Sequence, residues 1–213
     1  ITEWVLEKYR HKILIAHEHI LDFNNFTVTT PLLSRPPLIG YIGRLSGEKG
    51  VQHLVGALPT ILNGRQDLRV LIGGDGQLRV SINASLQEEE LTARVDLPGW
   101  IPHDDLPNYL NKLQLLVLPS YTEGLPNIML EAMACGTPVL ATPAGAIPDI
   151  IMDGKTGFIM DNNTPECIAE NVIRALNSRI WSASLKPESD MWRRTSLSKR
   201  LWRIGGVYLR RFE

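Results

Sequence analysis

From Leu38 onward, short apolar runs alternate with amphipathic stretches, and glycine, proline or aspartate separates them. A parallel sheet wrapped by helices is written this way. Leu38 to Ile42 predicts a first strand. After the loop Gly43 to Gly50, apolar residues at 51, 54, 55, 58, 61 and 62 recur at helical spacing, despite Pro59 inside the run. Leu68 to Ile72 predicts a strand, Gln77 to Leu91 a mostly polar helix, and Arg94 to Leu97 a short strand before Pro98-Gly99. The pattern then repeats, with a short helix from Asp104-Asp105 to Asn111, a strand from Leu115 to Leu118, a helix from Asn127 to Ala134 and a strand from Pro138 to Ala141. Helices from Ala146 to Met152 and from Thr164 to Leu176 close the series around a strand from Gly157 to Met160. The expectation is an α/β fold, a Rossmann-like, doubly wound parallel sheet over residues 36–178. Such sheets bind ligands in the crevice beyond the carboxyl ends of their strands, so the chemistry is sought in the loops that follow strands.

The flanks fit this pattern less well. Residues 1–35 carry one strand-like run, Lys12 to Ala16, and a threonine-rich stretch from Asn24 to Thr30, and they read as a linker with the end of a preceding N-terminal domain. Residues 179–213 hold Trp181, Trp192 and Trp202 with a marked excess of Lys and Arg. There Leu197, Leu201, Ile204 and Tyr208 share a helical face, which predicts a basic helical tail.

Composition changes the picture mainly by exclusion. With 44% hydrophobic and 21% charged residues among 213, the chain is an ordinary globular one. A net charge of −1 gives no reason to expect a nucleic-acid partner, which would need a strongly cationic surface. Cys135 and Cys167, the two cysteines, cannot build a disulfide framework or a four-thiolate zinc site and are read as packed thiols. No apolar run approaches a membrane span, so the expected location is cytoplasmic, peripheral at the membrane if the basic tail lies on anionic lipid. His17-Glu18-His19 with His11 lacks a further ligand cluster, and no metal is expected.

Two loops carry the candidate chemistry. Gly43-Arg44-Leu45-Ser46-Gly47-Glu48-Lys49-Gly50 follows the first strand and opens a helix, so amide protons, helix dipole and two cations converge where an anion would bind. After the Leu115 to Leu118 strand comes Glu123-Gly124-Leu125-Pro126-Asn127, then Glu131 one turn inside a helix. The two carboxylates face different parts of one extended ligand, and amides near Gly124, Leu125 and Asn127 can meet phosphate or sugar oxygens. A carboxylate accepts from both hydroxyls of a vicinal diol, so Glu131 suits a ligand that carries one. Gly73-Gly74-Asp75-Gly76 lies at the same crevice but fails the dinucleotide pattern, because Arg79 stands where the third glycine belongs.

Glu123, seven residues, then Glu131 followed by Ala-Met-Ala-Cys-Gly-Thr-Pro-Val resembles the E-x7-E signature of family 4 retaining glycosyltransferases of the GT-B type. The Gly43-Arg44 to Lys49-Gly50 loop is similar to that family's diphosphate loop. Gly154-Lys155-Thr156-Gly157-Phe158 is similar to its NGxxG turn, with Asp153 in place of asparagine. The resemblance implies a nucleoside-diphosphate-sugar donor domain, the C-terminal half of a GT-B fold, transferring a hexose with retention. It gives catalytic roles to Arg44, Lys49 and Glu123, a ribose contact to Glu131, and a nucleobase contact to the backbone of Gly99-Trp100-Ile101, with Trp100 itself either at the base or in ordinary packing. No cofactor is implied, since cationic side chains and helix dipoles neutralise the leaving diphosphate. The acceptor would bind an N-terminal GT-B domain not visible in these residues. The basic tail would dock on that domain or lie on an anionic membrane beside a lipid-linked acceptor. A non-catalytic nucleotide-sugar-binding module is the alternative.

Overall fold

The computed structural model describes residues 18–178 and the strand residues 193–194, 201–204 and 207–211. The run Lys12 to Ala16, His11, His17, Trp181, Trp192 and Leu197 lie outside the described residues. In chain order the strands are β1 (Glu18–Leu21), β2 (Leu38–Ile42), β3 (Arg69–Gly73), β4 (Val95–Gly99), β5 (Leu115–Leu118), β6 (Val139–Ala141), β7 (Phe158–Ile159), β8 (Arg193–Arg194), β9 (Leu201–Ile204) and β10 (Val207–Arg211). The helices are α1 (Val51–Gly64), α2 (Arg79–Glu88), α3 (Leu106–Leu110), α4 (Asn127–Ala134), α5 (Ile147–Ile150) and α6 (Pro165–Leu176).

Six strands form one parallel sheet in the order β4-β3-β2-β5-β6-β7. Residues on each strand alternate between two cores. Ile39, Tyr41, Val70, Ile72, Leu115, Val117 and Leu140 pack under α1, α2 and α6. Ile42, Leu71, Leu116, Leu118, Val139 and Ala141 pack under α3, α4 and α5. The sheet is therefore doubly wound, as the alternating runs predicted. Chain direction across the sheet reverses between β2 and β5, and the loops after these two strands open on that switch point, where α/β sheets bind ligands.

Helix α1 shows how the pattern becomes packing. The six apolar positions read from the sequence are all buried, together with Ala57, and burying each Leu, Ile or Val contributes roughly 1.5–3 kcal/mol. Pro59 sits inside the helix without ending it. Elsewhere the elements begin or stop a few residues from expectation. Helix α2 is shorter than Gln77 to Leu91, and a 3₁₀ turn at His103–Asp105 precedes α3.

The tail corrects the sequence reading, and the first flank adds to it. The stretch from Asn24 to Thr30 is tied to the large sheet's helices. Phe26 is buried in the core under α3 and α4, and the buried Asn111 side chain accepts from the amides of Thr29 (2.8 Å) and Thr30 (3.3 Å) and donates to the Thr27 carbonyl (3.0 Å). Arg35, also buried, donates to the carbonyls of Thr30, Leu110, Leu113 and Cys135 and to the Thr137 hydroxyl. Burial pushes its guanidinium down to about 10, with the neighbouring Cys135 working the other way. In the tail, Leu201, Ile204 and Tyr208 lie on β9 and β10, not on a helix. The second sheet runs β1-β10-β9-β8, with β1 parallel to β10. Leu201, Trp202, Ile204, Val207, Tyr208 and Leu209 form a run that a strand accommodates as readily as a helix, and pairing with the distant β1 decides between them.

Candidate functional site

The loops after β2, β3, β4 and β5 meet at the carboxyl edge of the sheet around a cavity of about 570 Å³. Two glycines allow the loops to close on one another. Gly50 has φ +67°, and a Cβ there would overlap the Pro119 carbonyl; beside it the Tyr121 amide donates to the Glu48 carbonyl at 2.9 Å. Gly145, at φ +58°, lies against the carbonyls of Glu123 and Gly124, and the Ala146 amide donates to the Gly124 oxygen at 2.8 Å. Only glycine adopts these angles without strain, so the loops that carry the candidate residues are fixed by backbone contacts.

Among the residues expected from the sequence, Arg44, Ile101, Asn127 and Glu131 line the cavity. Arg44 stands at its rim, with its side chain 72% exposed and 3.6 Å from Glu48. Asn127 opens α4, and Pro126 before it provides no side-chain cap, so the positive end of the helix faces the cavity with its first amides open to a ligand. Glu131 is 7% exposed, and its Oε1 lies 3.0 Å from His103 Nε2. Trp100 is exposed at the cavity and is therefore not core packing. Ile101 beside it is buried.

Lys49 and Glu123 stand elsewhere. They are not on the cavity wall but pair with each other, Lys49 Nζ donating to Glu123 Oε1 at 2.8 Å and Oε2 at 3.0 Å. The Glu123 side chain is only 9% exposed, so the pair ties the β2 loop to the β5 loop across the switch point with one charge of each sign. Gly124 gives its carbonyl to Ala146, and Leu125 leans on the core under α4; neither lines the cavity. Sequence reading missed His103, which holds the buried carboxylate, and the Lys49–Glu123 pairing. Tyr41, buried below the β2 loop, donates its hydroxyl to the Arg44 carbonyl at 2.6 Å, and burial with the nearby Glu123 and Glu48 charges raises its pKa far above the ordinary phenol value. Buried Cys135, its thiol pushed up to about 12 mainly by burial, is unreactive. Among the described residues no cluster of His, Cys, Asp and Glu could hold a metal ion, and no helix is long and apolar enough to cross a membrane.

Strand order, helices on both faces and a cavity at the switch point define a Rossmann-like, doubly wound α/β domain. A family model described as glycosyl transferases group 1 matches residues 24–192, and the chain belongs to that family. Its similarity to the 2-deoxystreptamine glucosyltransferase of Streptomyces kanamyceticus is 36% identity over 115 residues, covering 54% of this chain and 30% of that protein. The chain spans about a third of the length of the curated relatives it matches. Among solved structures it is similar to the C-terminal domain of a glycosyl transferase group 1 family protein from Francisella tularensis, with TM-score 0.68, 23% identity, and coverage of 78% of this chain and 92% of that one. It is also similar to HepE of Anabaena in complex with UDP and glucose, with TM-score 0.67, 20% identity, and coverage of 78% and 48%.

Proposed function

We propose that this chain is the donor-binding, C-terminal half of a two-domain, family 4 glycosyltransferase, which transfers a hexose from a nucleoside-diphosphate sugar to an acceptor with retention. The observation that carries the reading is the cavity at the switch point, where a buried carboxylate and a helix N-terminus line the wall and a cation stands at the rim. The ribose diol sits on Glu131, and the base lies beside Trp100 and the Ile101 backbone. The diphosphate meets Arg44 and the first amides of α4. Lys49 exchanges Glu123 for phosphate oxygen as the donor enters, which frees Glu123 toward the transferred sugar. In this scheme Arg44, Lys49 and the helix dipole stabilise the departing diphosphate, so catalysis is electrostatic and no metal is required. Retention and the acceptor side rest on the resemblance of the E-x7-E segment and of the cationic loop. The excess of cations in residues 179–213 suits docking on the acceptor-binding domain, or an anionic membrane beside a lipid-linked acceptor.

Calorimetric titration of the chain with UDP-, GDP- and ADP-sugars and the free diphosphates tests this. At least one should bind, and Arg44→Ala should weaken it about tenfold or more, since a charge-assisted phosphate contact is worth roughly 1.5–3 kcal/mol. Arg44 is largely exposed, so the variant should keep the melting temperature of the native chain. Unchanged affinity in Arg44→Ala would remove the phosphate role.

A further inference from the structure

The carboxyl edge holds a second cavity, of about 200 Å³, over the other half of the sheet. Its walls come from the loops after β5 (Ser120, Tyr121), β6 (Thr142, Pro143, Ala144) and β7 (Asp161, Asn162, Asn163). The nucleotide cavity lies over β4, β3 and β2, so the strand order puts the Lys49–Glu123 bridge between the two. We propose that this second cavity is a subsite for a neutral pyranose, the acceptor-side sugar ring of the transfer.

Its chemistry selects the ligand. No Lys, Arg or His lines it, and Asp161 contributes a carboxylate whose charge reaches Arg174 outside the wall, so an anion would find no cation of its own in the cavity. The free hydrogen-bonding groups are of both kinds. Asp161 makes no side-chain hydrogen bond among the described residues, so both of its oxygens can accept, and its nearby charge partner is Arg174. Asn162 uses its oxygen on the Thr164 amide (2.9 Å), which leaves its NH₂ to donate. Asn163 uses its NH₂ on the Pro119 carbonyl (3.0 Å), which leaves its oxygen to accept. Vicinal hydroxyls donate and accept at adjacent positions and match such a set. The apolar face of a sugar ring has a counterpart too. Tyr121 is 55% exposed, and its hydroxyl is pinned 2.7 Å from His53 Nε2, so its ring is a fixed platform beside Pro143 and Ala144. The volume is below the roughly 300–1,000 Å³ of pockets for drug-sized ligands and suits a single ring.

Position gives the subsite its role. Tyr121 stands two residues before Glu123, on the loop that the proposed function places against the transferred hexose. A ring held here lies beside the sugar end of the donor and away from its base. That role rests on the donor reading, whereas pyranose binding itself does not.

Saturation-transfer NMR on the full chain decides the matter, using methyl α-glycosides of glucose, mannose, galactose and N-acetylglucosamine as probes, with and without a saturating nucleoside diphosphate. At least one glycoside should show saturable transfer, with a dissociation constant on the order of millimolar, and the transfer should persist when the nucleotide is present. Asp161→Ala and the cavity-filling Ala144→Trp should each reduce it at least about fivefold, as expected for one lost charged acceptor or a blocked ring, while both keep native nucleotide affinity. No transfer to any of the four, transfer abolished by the nucleotide, or transfer equal in both variants overturns the subsite. A chain that binds glycosides but no nucleotide keeps the subsite and loses the donor reading; the reverse result does the opposite.

Discussion

Glu131 has a 7% exposed carboxylate whose hydrogen bond is to the imidazole of His103, itself stacked edge-on against buried Phe26 with ring centroids 5.3 Å apart. One carboxylate oxygen is thereby anchored before any ligand arrives. If Glu131 grips a ribose diol, His103 sets the rotamer in which it does so. His103→Ala should then weaken a bound ribonucleoside diphosphate roughly threefold to tenfold, the span of one ordinary hydrogen bond, and leave the weaker 2′-deoxy analogue nearly unchanged. His103→Gln, which restores a donor, should recover part of the loss. Equal losses for ribo and deoxy ligands, measured by calorimetry, would make His103 a structural support only. At this scale the sequence disclosed the carboxylates but not their partners. Glu131 and His103 are 28 positions apart and Lys49 and Glu123 are 74 apart, and nothing in the local pattern of either residue announces the other. The spacing of Glu123 and Glu131 was legible because one strand-loop-helix unit carries both. That their side chains serve different places, one in the cavity wall and one in an ion pair, follows from tertiary packing.

The turn between α5 and α6 shows how an element absorbs a departure from its family pattern. Asp153, where the resemblance gives asparagine, takes the two terminal nitrogens of Arg174 on α6 at 2.9 Å each and the Ile159 amide at 2.8 Å. The Arg174 hydrogen bonds, foremost among its surroundings, hold the Asp153 carboxyl below its ordinary value of 3.8. A depressed carboxyl stabilises the fold above its unfolded value, and the contribution is lost as pH falls through the folded one. Asp153→Asn should therefore cost less than about 1 kcal/mol at pH 7, since both partners are partly exposed, and the cost should begin to shrink as the pH falls below 3.8 and be lost as it passes through the lowered folded value. Urea titrations at several pH values check this. A difference that stayed constant with pH would assign the cost to the Ile159 amide contact rather than to charge. The elements themselves were largely readable. The inner strands β2, β3, β5 and β6 are buried almost throughout and so write apolar runs, whereas the edge strand β4 interrupts its run with exposed Asp96 and Pro98, and α1 writes its period despite Pro59. The tail was misread because short apolar runs among arginines fit either period, and the partner that selects the strand, β1, lies at the other end of the chain.

On the scale of the molecule, the donor-side features and the proposed pyranose subsite gather along one sheet edge, and the proposed function assigns the rest of the acceptor site to a second domain. The chain alone should bind a nucleoside diphosphate or its sugar yet transfer to no acceptor at a measurable rate, because holding the acceptor against the anomeric carbon can supply roughly 7–11 kcal/mol of barrier lowering. A product assay over a panel of donors and acceptors, run beside the binding titration, checks this. Glycosylated product would refute the half-enzyme reading. Absence of any nucleotide binding would count against the donor site itself.

The contacts of Asn111 and Arg35 bear on where this domain can be cut. A boundary drawn by eye at Leu38, where the large sheet begins, would remove the guanidinium that gathers the carbonyls of Leu110, Leu113 and Cys135 behind α3 and α4. It would also leave Asn111 without the three backbone groups it holds between Thr27 and Thr30. Those two helices carry the wall of the larger cavity, α4 with Asn127 and Glu131 and α3 with Leu106. The smallest autonomous version of this domain therefore begins upstream of Phe26, and gene fragments or chimeras joined after Arg35 should yield insoluble or nucleotide-blind protein even though every strand of the large sheet is intact.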